Sequence, residues 1–400
     1  MNKKLGFGIL LCLAGLTVLV AAEADQGKLA SANTGFAFDL LKQITREQPG
    51  TNIFISPFSV STVLQMVANG AAGETKTEMQ QVLKTAGLAP EALNAACKDL
   101  NQSLNSQTNV ILNLANAIWH ENWIHITPAF IADNQCFQVK IAGVDSFTNP
   151  KSADIINDWA EKNTHGKIKQ AVKFPFPGNT RVVLANAIYF KGKWAEPFEK
   201  SQTKSRDFHL SNDGEKQVPM MRQSRTFSYE EGDDFQAVRL PYAGDRLQMY
   251  LFLPATNSSP QKLLAHLDSE NWHNKKLPQF SDRKGTLVFP KFKLDYDVLL
   301  NNSLEALGMK RAFVEGGADF SQMVDNDNLF ITMVKQKSFV DVNEEGTEAA
   351  AVTTVTMSDS IAFEPQKPFE MIVDRPFLFV IADDQTKSVL FMGVIYDPAG

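Results

Sequence analysis

Cysteine is nearly absent: three residues in 400, at positions 12, 97 and 136. Once a leader carrying Cys12 is set aside, only Cys97 and Cys136 remain, far too few for a disulfide framework. The fold must therefore be held by packing, and whether these two pair is open at this level. No C-x-x-C, no G-x-S-x-G and no G-x-G-x-x-G after a strand occurs, which removes the common zinc, serine-hydrolase and dinucleotide patterns. The six histidines are scattered, and His120 and His125 stand five apart, where two zinc ligands on one helical face need four. Positive charge is also short: 39 Lys and Arg against 45 Asp and Glu give −6, so no overall field attracts nucleic acid or an anionic membrane. No catalytic constellation, metal or cofactor is expected.

What is present is ordinary globular composition, 44% hydrophobic with 23 Gly and 18 Pro. Lys3 and Lys4 precede an uncharged run from Leu5 to Ala22, and Ala22-Glu23-Ala24 offers small residues around a cleavage point. Residues 1–24 thus read as a secretory signal peptide, with an uncleaved membrane anchor as the second reading. The mature protein is expected to be secreted, periplasmic or extracellular.

From 25 to 400 no internal repeat, long linker or low-complexity block appears, which predicts a single α+β domain. Ala37, Leu40, Leu41 and Ile44 predict a helix stopping at Pro49-Gly50, and a strand spans Asn52 to Ile55. Val60, Val63, Leu64 and Val67 predict a second helix ended by Gly70. Thr75 with Glu78 reads as a capping box opening a third helix through Leu83. The N-terminal third is expected to be mostly helical. Strands are predicted at Val182–Phe190, Leu247–Leu253, Thr286–Leu294, Phe330–Val342, Phe377–Ile381 and Val389–Tyr396, with one helix near Val298–Leu307.

One segment asks for more. After Asn343-Glu344-Glu345-Gly346-Thr347-Glu348 come ten uncharged residues, Ala349 to Ser358. A solvent-exposed connector is the plain reading. Yet Thr347, Ala349, Ala351, Thr353, Val355 and Met357 alternate as one small or apolar face, as a strand requires. Glu348 and Ala350 fall on the other. No proline lies between Gly346 and Ile361 to block ladder hydrogen bonds, and Gly346 supplies backbone freedom where the segment would fold back.

Four stretches in order then resemble one family, the serpins. They are Asn52 to Ser59 (NIFISPFS), Asn186 to Trp194 (NAIYFKGKW) with Pro197-Phe198, Asn343 to Ala351 (NEEGTEAAA), and Arg375 to Phe379 (RPFLF) with Phe391-Met392-Gly393. The resemblance covers essentially all of 25–400. It implies a serpin fold, with three β-sheets, eight or nine helices and an exposed reactive loop at about 344–368. It also implies an inhibitor rather than an enzyme. A serine protease attacks the loop, and the cleaved loop inserts into the central sheet before the acyl-enzyme hydrolyses. The hinge would be Glu344, Glu345, Gly346, Thr347, Glu348, Ala349, Ala350 and Ala351. Sheet opening would be supported by Ser56, Asn186, Trp194, Lys291 paired with Glu344, and Gln336, which stands where relatives often carry a titratable histidine.

Counting about seventeen residues from Glu344, the usual length for insertion, puts the scissile bond at Ser360-Ile361, with Met357-Ser358 and Phe363-Glu364 as alternatives. A partner protease of elastase-like, subtilisin-like or chymotrypsin-like type follows, since no Arg or Lys lies between Gly346 and Gln366. A heparin-type activator is not expected, because Lys98 is the only basic residue from Pro90 to Leu104. The protein is expected to be a monomer. A non-inhibitory serpin with a carrier, chaperone or storage role is the alternative.

Overall fold

The computed structural model describes residues 27–105, 110–212, 214–276, 279–325, 329–347 and 367–399. Its helices are α1 (27–47), α2 (Pro57–Asn69), α3 (Gly73–Val82), α4 (Pro90–Asn105), α5 (Pro128–Asp133), α6 (Pro150–Asn163), α7 (Pro260–Ala265) and α8 (Asn301–Leu307). Its strands are β1 (Ile53–Ile55), β2 (Val110–Glu121), β3 (Lys140–Val144), β4 (Val182–Lys193), β5 (Lys204–His209), β6 (Glu215–Gly232), β7 (Phe235–Pro241), β8 (Leu247–Pro254), β9 (Ser281–Pro290), β10 (Phe292–Leu299), β11 (Met333–Asn343), β12 (Gly346–Thr347), β13 (Phe369–Ile372), β14 (Phe377–Asp383) and β15 (Val389–Ile395).

The strands form two hydrogen-bonded sheets. A six-stranded sheet runs β10-β11-β12-β4-β2-β3, and a nine-stranded one runs β1-β15-β14-β8-β7-β6-β9-β13, with β5 on β6. The second is two sheets joined through β6, which is 18 residues long. Its start pairs with β5, its middle with β9 and its end with β7.

α2 explains how the six-stranded sheet is supported. Pro57 starts the helix, and Ser56 caps it by accepting a hydrogen bond from the Ser59 backbone N–H. All of its residues from Pro57 to Ala68 are buried, because it runs through the middle of the core rather than over its surface. The opposite face of β2 and β4 is covered by α6, where Trp119 meets Trp159 edge-on and Ile156 is fully buried. The central strands are thus covered on both faces.

Three expectations change. Residues 110–144 hold β2 and β3, so the N-terminal third is less helical than periodicity implies. Thr286–Leu294 is two strands, with Lys291 alone between β9 and β10. The capping box is not formed: α3 begins at Gly73, Thr75 Oγ1 accepts from the Asp319 N–H at 3.0 Å, and Glu78 accepts from the N–H groups of Lys310 and Arg311. Thr75 and Glu78 have tertiary partners, and these win over the local ones. Among the described residues no helix is long and apolar enough to cross a membrane.

Candidate functional site

The seam between β11 and β4 is the unusual part of the six-stranded sheet. The two strands pair in parallel from Met333 opposite Val183 to Phe339 opposite Tyr189. Above Phe339 they part, and β12 lies between them, antiparallel to both. Thr347 sits opposite Val342 on one side and Gly192 on the other, and Gly346 opposite Asn343 and Lys193. Gly346 has φ +142°, and a Cβ there would lie 2.2 Å from Gly192 O and 2.7 Å from Lys193 Cα, so only glycine fits. Thr347 is fully buried, its hydroxyl 3.2 Å from the Tyr242 hydroxyl.

The turn before β12 is held by one aromatic residue and one acid. Trp194 Nε1 donates to Asn343 O at 3.0 Å, its backbone N–H donates to Glu345 O at 3.1 Å, and the Phe198 N–H donates to Glu344 O at 2.8 Å. The indole is stacked on Tyr242, centroids 4.7 Å apart, a contact worth about 1 kcal/mol beyond its buried area. Glu344 Oε2 lies 2.9 Å from Lys291 Nζ, and Thr203 Oγ1 donates to Glu344 Oε1 at 2.8 Å. Burial by itself would raise the Glu344 carboxyl. The hydrogen bonds from Lys291, Thr203 and its own backbone N–H outweigh that and hold it below the usual glutamate range. Lys200 reaches Glu345 at the surface, which raises the lysine's own pKa through that hydrogen bond.

Lower on the seam, where Gln336 lies opposite Asn186, polar side chains meet inside the core. Gln336 Oε1 accepts from the Ser56 N–H at 3.0 Å and its Nε2 donates to Ser56 O at 3.1 Å, so one side-chain amide engages both backbone polar groups of Ser56. Ser56 Oγ donates to Leu390 O at 2.8 Å, tying the start of α2 to β15. Asn186 Nδ2 donates to Asn116 Oδ1 at 2.6 Å, and Ser59 Oγ donates to the same oxygen. Asn186 Oδ1 is buried with no hydrogen-bond partner among the described residues.

The five support residues named from the sequence therefore fall into two groups. Trp194 and Lys291 surround the turn at Glu344 and Glu345, while Ser56, Asn186 and Gln336 line the seam. Gly346 and Thr347 lie at its upper end. Glu348, Ala349, Ala350 and Ala351 lie outside the described residues, as do all three candidate scissile bonds, at Met357-Ser358, Ser360-Ile361 and Phe363-Glu364, and the leader 1–24.

Tyr242, Thr203, Lys200, Ser59 and Asn116 were not anticipated. For Asn116 the signal was available: Leu114 to Trp119 reads LANAIW and Leu184 to Tyr189 reads LANAIY. The two copies run antiparallel in register with Asn116 opposite Asn186, so each fills the same place about a local two-fold axis. Among the described residues, no cluster of three His, Cys, Asp or Glu could hold a metal ion.

Residues 31–398 match a family model described as serpin (serine protease inhibitor). The chain is similar to an uncharacterized serpin-like protein of Thermococcus kodakarensis, with 36% identity over 95% of this chain and 88% of that one. It is similar to the human leukocyte elastase inhibitor at 34% identity, over 93% of this chain and all of that one. Its fold superposes on the solved structure of human thyroxine-binding globulin with a TM-score of 0.83 at 28% identity, over 94% of this chain and 99% of that one.

Proposed function

The chain belongs to the serpin family, and on that premise we propose that it is a secreted serine-protease inhibitor that works as a single-use substrate. The observation that carries this reading is β12: two hinge residues already lie between β4 and β11 in the antiparallel sense of an inserting strand. Continued two residues at a time on insertion, that register would put Ala349 opposite Phe190 and Val340, and Ala351 opposite Ile188 and Ser338. Thr353 arrives between Asn186 and Gln336, where its hydroxyl would face the unpartnered Asn186 Oδ1. Every inward position is then small or uncharged, down to Val355 and Met357. Insertion would exchange one parallel seam for two antiparallel ladders, which are slightly more stable per residue.

In this reading the protease serine attacks the Ser360 carbonyl, the bond to the Ile361 nitrogen breaks, and Ser360 remains as an ester on the enzyme. Insertion from Thr347 onward then drags the enzyme along the sheet before water completes the reaction. The likeness to an elastase inhibitor supports a target with a small or apolar specificity pocket, as does the lack of Arg and Lys between Gly346 and Gln366. The likeness to thyroxine-binding globulin favours the second reading, a carrier without inhibition.

The test is to mix the protein with elastase, subtilisin, chymotrypsin and trypsin, run denaturing gels, and sequence the released C-terminal peptide. A denaturant-resistant complex with any of the first three, and a peptide beginning at Ile361, is the expected result. Clean cleavage without a complex across a wider panel moves the protein to the carrier reading. Secretion is checked separately, by N-terminal sequencing of the exported chain, with Asp25 as the expected first residue.

A further inference from the structure

Neither Cys97 nor Cys136 is in a disulfide; the first is on α4 and the second on the 3-10 turn Gln135–Phe137, against which α4 packs. Cys97 is buried, within hydrogen-bonding reach of the Cys136 side chain. Cys136 is partly exposed at the edge of an open cleft of about 460 Å³ lined also by Asn94, Lys98, Asp133 and Gln135. The two residues are 39 apart in sequence, and the chain between them contains β2 and α5.

We propose that Cys97 and Cys136 are a redox pair that closes to an intramolecular disulfide in the folded protein, with Cys136 as the thiol that reacts first. The division of roles comes from access: a small disulfide reaches Cys136 from the cleft but cannot reach Cys97. The hydrogen bond from Cys97 also lowers the Cys136 thiol below its ordinary value, against the opposing effect of burial. The backbone N–H groups of Cys136 and Phe137 and the charge of Lys98 add to the lowering.

The oxidant is a small-molecule disulfide such as oxidised glutathione. The Cys136 thiolate attacks one of its sulfurs, forming a mixed disulfide and releasing one thiol. The Cys97 sulfur, having given up its proton to solvent, then attacks Cys136 and expels the second. One external disulfide is reduced to two thiols for each internal disulfide made. The bond would tie the lead-in to β2, which is α4, to the lead-in to β3, which is the turn. Both strands lie on the β4 side of the seam, so the crosslink staples that half of the six-stranded sheet at its outer edge. An exported chain meets the oxidising conditions under which such a pair closes.

The test uses the full folded protein and does not involve a protease, so it stands or falls separately from the inhibitor reading. Reduced protein is equilibrated with oxidised glutathione, quenched by alkylation and mapped by peptide mass. A Cys97–Cys136 crosslinked peptide in a monomer is expected, with both alkylation sites lost and the melting temperature raised by several degrees, reversibly on adding dithiothreitol. Cys97→Ser should stop at one glutathione on Cys136, and Cys136→Ser should leave Cys97 unreacted until the chain is unfolded. Two thiols that both remain alkylatable after oxidation overturn the proposal. So does a crosslink that forms only in urea, or a dimer linked through Cys136.

Discussion

Lys291 Nζ stands 2.9 Å from Glu344 Oε2, and Lys291 is the one residue separating β9 from β10. The strand break thus turns a side chain toward the acid of the turn before β12. Lys291→Met keeps the aliphatic stem and removes the charge, leaving a nearly buried carboxylate with only Thr203 and its own backbone as donors. Hydrogen exchange should quicken at Gly346 and Thr347, with a loss of stability of about 1–2 kcal/mol in denaturant titration.

Because the Glu344 carboxyl is held below its ordinary value, its contribution is fully present above about pH 4.3 and is lost as pH falls through the lowered folded value. Acid should therefore loosen the turn before the sheet melts. Glu121 is also lowered, since hydrogen bonds from Trp123, Ser146 and Phe147 outweigh its burial, and it too contributes to the acid dependence. The readout is consequently a difference: the acid slope of stability should be shallower in Glu344→Gln than in the parent protein. Equal slopes would remove Glu344 from the account.

Gly346→Ala places a methyl group where Gly192 O is 2.2 Å away and asks for φ +142° from a residue that avoids it. The expected cost is about 1–3 kcal/mol, relieved by withdrawing β12 from between its neighbours. Exchange of backbone amides at Gly192 and Lys193 would report the withdrawal. Unchanged protection there would mean that the sheet yields instead.

Thr347→Arg tests insertion itself. A guanidinium at a fully buried position without an anion costs more than the roughly 1.4 kcal/mol that slows a step tenfold. The variant should be cleaved like a substrate, with the number of inhibitors consumed per trapped protease rising roughly tenfold or more. Full inhibition by this variant would sink the insertion mechanism.

Gln336→Ala leaves the Ser56 N–H unsatisfied in the core and removes one of the two donors to its C=O, the other being the Val60 N–H, and should cost about 1–3 kcal/mol. Gln336→His is the more informative change, because glutamine does not titrate. A histidine buried there has its folded pKa depressed, so stability would be complete above about pH 6.5 and fall as pH drops below it. His273, whose burial also lowers its pKa, contributes such a component in both proteins, so the readout is the extra slope of the variant over the parent.

Much of this architecture could be read in advance where strands are buried on one or both faces and rich in branched and aromatic residues, as β8, β14 and β15 are. β6 escaped because its polar half-exposed alternation over 18 residues, from Glu215 to Gly232, has no continuous apolar run. β2 was hidden for the opposite reason: packed between the core and α6, it lacks the two-residue alternation that marks a strand with one wet face. Ser56, Asn186, Trp194, Lys291 and Gln336 were reachable only through resemblance, since nothing local says that residues about 280 apart in the chain, such as Ser56 and Gln336, share hydrogen bonds. Thr203 contributes a hydroxyl and Tyr242 a ring and a hydroxyl, both from segments distant in the chain, and no spacing rule exposes that.

β1 pairs with β15, Ile53 opposite Val394, and Phe54 is stacked between Phe379 and Phe391. The strand nearest the start of the domain therefore has no partner until the ribosome has made the segment beginning at Val389. Its aromatic side chain stays unpaired through almost the whole of synthesis, and the pairing joins residues with some of the largest separations in the chain. Such long-range closure is slow and comes late. A chain built this way stays unfinished until its last strands are made, and it commits to its tertiary structure only then.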